Sequence, residues 1–353
     1  MTTSTLTYTP TDLDAMSAEE RIMLSDRLYE GLSDLLVSIS GQAGHSDLTA
    51  EGSIVDTHFT PAGKLTNRGS SSTSKKESKT VEQDALVGEN SYFRPNGELY
   101  YSRKWGTSDN ADVEVLRKAR EAKQYVLLYG EPGCGKTALV EASFGEDLYT
   151  ILGSGDTELS DFIGGYVQTP SGGFEWVDGV LVKALSEGKP LLIDEIGVID
   201  PKVLTAVYGL MDGRQELTIT QNPERGTIKS EEGFYIIGAT NPNAVGVRLS
   251  EALLSRFQIH TEMTTDFSLA KTKLKIPVPA ITASQNLAKR RAGGEISWSP
   301  QMRELLAFKK LTELFGTKFA IENIIAAAPE NDRPVVVEVM NRVFGEECRP
   351  AKI

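Results

Sequence analysis

Tyr125-Val-Leu-Leu-Tyr129 is followed directly by Gly130-Glu-Pro-Gly-Cys-Gly135-Lys136-Thr137 and then by Ala138-Leu-Val-Glu-Ala142. An apolar run of strand length thus leads into a glycine-rich loop, and the loop into a helix. The loop fits G-x-x-x-x-G-K-[ST], and strand–loop–helix is the setting in which that pattern cradles phosphate. Gly130, Gly133 and Gly135 let backbone N–H groups approach phosphate oxygens closely, and the helix N-terminus adds partial positive charge. Lys136 is expected to reach the β- and γ-phosphates, and the Thr137 hydroxyl to ligate Mg2+. The binding residues read from this stretch are Gly130, Glu131, Pro132, Gly133, Cys134, Gly135, Lys136, Thr137 and Ala138. Cys134 reads as a small filler at a variable position of the loop, with a redox-sensitive thiol as the alternative.

Further along, Leu191-Leu-Ile-Asp194-Glu195 is a buried-type strand that ends in two carboxylates. Open α/β sheets bind ligands at the C-terminal ends of their strands. Asp194 is therefore expected in the Mg2+ shell, and Glu195 to orient and polarise an attacking water. Ala239-Thr240-Asn241-Pro242 closes a third apolar run, Phe234-Tyr-Ile-Ile237, and Asn241 is expected to bond the γ-phosphate or that water. An Asn-Pro pair after a strand is by itself just a turn. Leu148-Tyr-Thr-Ile151 and Gln258-Ile259 are two more short apolar runs, and helix-like segments separate several of the five. The pattern predicts an α/β fold with a parallel sheet of buried strands. After Thr265 the patterns are helical, as in Pro300–Phe315, and predict a small α-helical C-terminal lid.

The chain has 353 residues and a formal net charge of −12, with two cysteines and three histidines. The acidic balance argues against binding nucleic acid through global charge. Cys134 and Cys348 make no disulfide framework and suit a reducing compartment, and the histidines show no zinc spacing. Neither a secretory leader nor an apolar run of the ~20 residues needed to span a bilayer is apparent, so a cytoplasmic location without membrane insertion is expected. Ser17-x-x-Glu20 reads as a capping box ahead of Leu24, Leu28, Leu32, Leu35, Leu36 and Ile39, which predicts an amphipathic helix over about 18–39. A Gly/Ser/Thr/Lys-rich linker is expected from Ser40 to about Ala85. The expected division is an N-terminal extension over 1–88, a nucleotide-binding α/β domain over 89–265 and a helical lid over 266–353.

With these segments in order, the chain resembles the AAA+ ATPases, a class of P-loop NTPase. Within them it is similar to the MoxR-like branch, which includes the CbbQ/NorQ-type activases and the gas-vesicle ATPase. The resemblance rests on residues 130–137, 191–196, 203–215, 239–242 and Leu249-Ser-Glu-Ala-Leu-Leu-Ser-Arg-Phe257, and covers roughly 90–315. It implies ATP as the nucleotide, assembly into a hexameric ring, and remodelling or activation of a protein client, together with a partner carrying a von Willebrand A-type domain. Arg256 falls where the family carries an arginine finger that reaches the neighbouring subunit's γ-phosphate, with Arg248 a weaker candidate and a surface ion pair the alternative for Arg256. Ser299-Pro-Gln-Met-Arg303 looks like the start of the lid helix bearing the second sensor arginine, although its spacing departs from the tighter Ser-x-Arg of the family.

The resemblance also places an inserted hairpin at Phe162–Val177, and alternation around Pro170-Ser-Gly-Gly173 predicts one independently. Its Tyr166, Phe174 and Trp176 either line a pore, touch a client or pack across the strands. A second hairpin is expected over 216–229. Residues 267–310 hold nine Lys or Arg against two Glu. That basic stretch faces either an acidic neighbouring subunit or nucleic acid, so a nucleic-acid motor is the less favoured alternative, and a nucleotide-gated scaffold is the third.

Overall fold

A computed structural model of the chain describes residues 90–351. The expected helix over 18–39 and the linker that follows lie outside the described residues.

The described chain opens with an antiparallel hairpin, β1 (Ser91–Phe93) and β2 (Leu99–Tyr101), and a helix, α1 (Asp112–Glu121). One carboxylate fastens them. Asp112 is 4% exposed and accepts from the Tyr100 hydroxyl, from Ser102 Oγ at 2.5 Å, and from the backbone N–H groups of Arg103 and Val113 at 3.0 and 2.9 Å. Arg103 completes the ion pair at 3.4 Å. Burial pushes the Tyr100 hydroxyl's pKa far up, so it stays a donor to this carboxylate.

The central layer is a five-stranded sheet. In chain order it comprises β3 (Val126–Tyr129), followed by α2 (Lys136–Phe144), and β4 (Tyr149–Leu152). Next come α3 (Leu159–Ile163), a projecting hairpin of β5 (Gly164–Gln168) and β6 (Phe174–Asp178), α4 (Val180–Glu187) and β7 (Pro190–Asp194). After α5 (Pro201–Met211) a second hairpin, β8 (Glu216–Thr218) and β9 (Thr227–Lys229), precedes β10 (Tyr235–Thr240), α6 (Glu251–Leu254) and β11 (Ile259–Glu262). The sheet order is β11-β3-β10-β7-β4, and every pairing is parallel. This is the α/β fold with a parallel sheet of buried strands that the alternating runs predict.

Burial separates the strands as the pattern requires. β10 is buried at all six positions and β7 at its first four, which matches central parallel strands covered on both faces. The edge strands β4 and β11 alternate half-buried and exposed residues. Within β10, Gly238 leaves room for a neighbour: a Cβ there would meet the Phe257 ring at 2.8 Å and Leu127 at 3.0 Å.

The two hairpins are joined. Arg225, in the β8–β9 loop, forks onto Asp178 at the base of β6 at 2.6 and 3.1 Å, and the Trp176 indole donates to the same carboxylate at 2.8 Å. That pair holds Asp178's carboxyl below its usual range. Tyr166 and Trp176 are cross-strand partners with rings 5.3 Å apart at 79°, so these two aromatics pack on each other, while Phe174 is 70% exposed.

After β11 the chain is helical: α7 (Phe267–Thr272), α8 (Val278–Ala292), α9 (Met302–Phe315), α10 (Thr317–Ala327) and α11 (Arg333–Phe344). Leu287, Phe308, Ile321, Ile324, Val336 and Met340 form a hydrophobic cluster separate from that of the sheet. A reciprocal Gln301–Glu304 capping box starts α9.

Replacing Asp112 with Ala would strand the buried Tyr100 hydroxyl and leave Arg103 without its anion. Asp112→Ala is expected to lower the unfolding free energy by about 3–5 kcal/mol, read by urea denaturation, with Asp112→Asn losing less.

Candidate functional site

Strand order builds the site. β10 lies between β3 and β7, so the C-terminal ends of these strands stand side by side, with those of β3 and β7 about 10 Å apart. The phosphate loop leaves β3, the carboxylates leave β7, and Asn241 follows β10 between them.

The phosphate loop is shaped by glycine geometry. Gly133 and Gly135 have φ of 83° and 101°, and Gly135 caps α2. Gly130 has φ of 149°, and a Cβ there would stand 2.2 Å from the Met263 carbonyl oxygen. Lys136 is 6% exposed, and its ammonium donates to the carbonyls of Gly130 at 2.8 Å and Glu131 at 3.2 Å, which folds it back along the loop. Pro132 is exposed on the loop, and Ala138 packs on the sheet core. Cys134 is 1% exposed, and burial raises its thiol pKa against the opposing pull of Lys136 and Arg103. The filler reading fits this position, since a reactive thiol needs exposure and a depressed pKa.

Thr137 Oγ1 donates to Asp194 Oδ2 at 2.8 Å, which brings the hydroxyl and the carboxylate from opposite sides of β10 into contact. These are hard oxygen donors of the kind that hold Mg2+ through few protein ligands, the remainder coming from phosphate and water. Among the described residues there is no group of three or more His, Cys, Asp or Glu that could hold a metal. A two-ligand Mg2+ site shared with phosphate fits that composition, and the glycine cradle at a helix N-terminus fits a polyphosphate.

Glu195 stands at a conformational exception. Its φ and ψ of 52° and 40° are left-handed for a non-glycine residue, a strain of about 1–3 kcal/mol. Surrounding bonds enforce it: its N–H donates to Asp194 Oδ1 at 3.0 Å, and its carbonyl accepts from Val198 at 3.1 Å. The same carbonyl presses on Gly153, where a Cβ would lie 2.7 Å away. Glu195 Oε2 accepts from the Asn241 N–H at 3.3 Å, so the carboxylate is aimed toward the end of β10. Asn241 is buried, and its side-chain oxygen accepts from the Asn243 N–H at 3.1 Å in a local turn.

The arginines divide by environment. Arg256, just beyond α6, pairs with Asp212 at 2.6 Å, donates to the Ala252 carbonyl and lies 4.7 Å from the Tyr208 ring centroid. None of these partners is on the phosphate loop of its own chain. Arg248 uses its N–H on the Gly197 carbonyl at 2.6 Å, beside the turn that carries Glu195. The Arg303 N–H donates to the Gly133 carbonyl at 3.1 Å, which seats the first turn of α9 on the phosphate loop with the Arg303 residue exposed.

Three residues at this site are absent from the sequence reading. Arg103 reaches from Asp112 to the carbonyls of Cys134, in the phosphate loop, at 3.3 Å and of Thr264, just before the lid, at 3.2 Å. Arg291, at the end of α8, pairs with Glu131. Asn243 Nδ2 donates to the same Glu131 oxygen at 3.0 Å. The only signal for Arg291 was its place in the basic stretch. Arg103 and Asn243 carried none.

Residues 125–257 match the AAA domain of the dynein-related subfamily. YojN of Bacillus subtilis is 31% identical over 226 residues, 59% of this chain and 73% of YojN. The Staphylococcus epidermidis protein SERP0979 is 28% identical over 246 residues, 64% of this chain and 92% of that protein. Midasin of Giardia intestinalis is 38% identical over 149 residues, which are 40% of this chain and span only 3% of midasin. The chain belongs to the AAA+ ATPase family, with a nucleotide-binding domain of the dynein-related type. Among its described residues no helix is long and apolar enough to cross a membrane.

Both cysteines are 1% exposed. The native protein at pH 7.5 is expected to react with N-ethylmaleimide at least about tenfold more slowly than the urea-unfolded chain, and mass spectrometry of the labelled Cys134 peptide would check it.

Proposed function

We propose that this chain is a MoxR-like AAA+ ATPase that hydrolyses ATP with Mg2+ at the subunit interfaces of a hexameric ring and uses the cycle to remodel or activate a protein client. The observation that carries the reading is the contact of Thr137 with Asp194 across β10, with Glu195 on the next residue aimed toward Asn241. In this reading Gly130–Ala138 hold the triphosphate through backbone N–H groups, and Lys136 exchanges its loop carbonyls for the β- and γ-phosphates. Thr137 and Asp194 would hold Mg2+, which supplies charge neutralisation on the β- and γ-phosphate oxygens. Glu195 orients the water for in-line attack and takes its proton, and Asn241 lines the γ-phosphate end of the site. Arg303 brings lid charge to the phosphates. Arg256 acts on the neighbouring subunit's nucleotide as a finger, a role supported by its partners lying away from its own loop.

The client and a von Willebrand A-type partner enter through the family resemblance, and a cytoplasmic location fits two free, buried thiols. The nucleic-acid alternative loses support in the basic stretch, because Arg290 pairs with Glu295 and Glu338 and Arg291 pairs with Glu131 within the chain.

The test combines three variants. Lys136→Ala is expected to abolish ATP binding. Glu195→Gln should bind ATP while hydrolysis falls about 10²-fold or more, and should run as about six subunits in light scattering with ATP and Mg2+. Arg256→Ala should keep binding and lose hydrolysis by about 10²-fold or more. A Glu195→Gln protein that hydrolyses at the wild-type rate removes the water-orienting assignment, and a fully active Arg256→Ala removes the finger.

A further inference from the structure

Glu131 is the second residue of the phosphate loop, and its carboxylate places negative charge in a segment built to attract anions. Two groups from elsewhere answer that charge at one oxygen, Oε1: the Arg291 guanidinium from the end of α8, and Asn243 Nδ2 at 3.0 Å from the loop after β10. The backbone of Glu131 is engaged as well, its carbonyl accepting from Lys136 Nζ at 3.2 Å and from the Cys134 N–H at 3.4 Å. One residue thus joins the phosphate-binding lysine, the loop carrying Asn241 and the lid.

The lid grips the phosphate loop at a second point two residues on. The Arg303 N–H bonds the Gly133 carbonyl at 3.1 Å, and a Cβ on Gly133 would lie 3.0 Å from that of Arg303. That contact is made by backbone and tight packing and does not depend on charge. The Arg291–Glu131 pair is different in kind, with side chains 24% and 28% exposed. It is shielded enough to contribute yet open enough to be weakened by salt and by a competing anion.

We propose that the Arg291–Glu131–Asn243 bridge is a latch that holds the lid on the phosphate loop and sets the rate of nucleotide release, with Arg291 and Asn243 acting as positioning residues through Glu131. The proposal rests on the nucleotide-binding reading above. It concerns exchange and leaves the chemical step to Glu195. Loss of the latch opens the lid more often, so release of the product diphosphate quickens and the KM for ATP rises.

The test is stopped-flow release of a fluorescent ADP from the full chain in the presence of Mg2+. Arg291→Gln and Glu131→Gln are each expected to speed release about fivefold or more, and the double variant to release no faster than either single. Asn243→Ala should give a smaller acceleration. The exchanged pair, Glu131→Arg with Arg291→Glu, should restore slow release in part. The ratio between double-variant and wild-type rates should shrink toward one as KCl rises from 50 to 500 mM. Release unchanged in both single variants, or single effects that multiply in the double, overturns the latch while leaving nucleotide binding in place. Should a glutamine variant fail to fold, Arg291→Ala and Asn243→Ala supply the same reading, and wild-type release rates in both would overturn it. Wild-type protein that does not bind the fluorescent ADP would take down the nucleotide-binding reading and the latch together.

Discussion

A strand that separates two others sets the geometry of this protein. β3 delivers the phosphate loop and β7 the carboxylates, yet they are not neighbours; β10 runs between them. A gap of about 10 Å between their ends is too wide for a carboxylate at the end of β7 to touch the loop itself. It is bridged because α2 starts from the loop and turns Thr137 across to Asp194, 2.8 Å away. The middle strand must therefore be thin and apolar where it passes under this contact. The fully buried Tyr235–Thr240 run meets that need, and at Gly238 the Phe257 ring fills the space a side chain would take.

The same constraint explains the backbone of Glu195. A chain leaving β7 in an extended conformation would continue away from the phosphate loop. The left-handed turn at Glu195 bends it at once, so that consecutive residues serve two functions: Asp194 faces Thr137 and Glu195 faces Asn241. The strain of about 1–3 kcal/mol is offset by hydrogen bonds on both sides of the peptide and tolerated because residue 153, against which the turn closes, is glycine. Three separate local choices thus agree on one turn.

How far this could be read from sequence depends on whether a feature is local. The strands were legible because central parallel strands are continuous apolar runs: β10 is buried throughout and β7 over Pro190–Ile193. The phosphate loop was legible because its glycine spacing is a backbone requirement that no other residue meets at those φ angles. The lid helix was visible from Pro300 on, though the capping box delays its start to Met302. Arg103, Asn243 and Arg291 were not legible as site residues. Each is an ordinary polar residue whose partner lies 31, 112 or 160 positions away, and only the folded chain brings them together. The hairpin aromatics show the intermediate case: alternation indicated the strands, while register alone makes Tyr166 and Trp176 partners and leaves Phe174 outward.

The arginines around the site follow one rule, in which the energy of the present contacts decides what each can do. Arg103 holds a buried carboxylate, a tyrosine hydroxyl and two backbone carbonyls; breaking a buried pair by removing one partner costs about 3–5 kcal/mol, so Arg103 is fixed and serves the scaffold. Arg256 is held by a half-exposed aspartate and a tyrosine ring. Such a pair is worth about 0–1 kcal/mol and the ring contact about 0.5–1, both small beside a charge-assisted bond to phosphate in a closed interface. Arg256, which also donates to the Ala252 carbonyl, is therefore more readily displaced from Asp212 than Arg103 is from Asp112, as the finger role proposed for it requires. Arg291 falls between them, shielded on one side by the lid and on the other by the phosphate loop. That intermediate position suits the latch proposed for it.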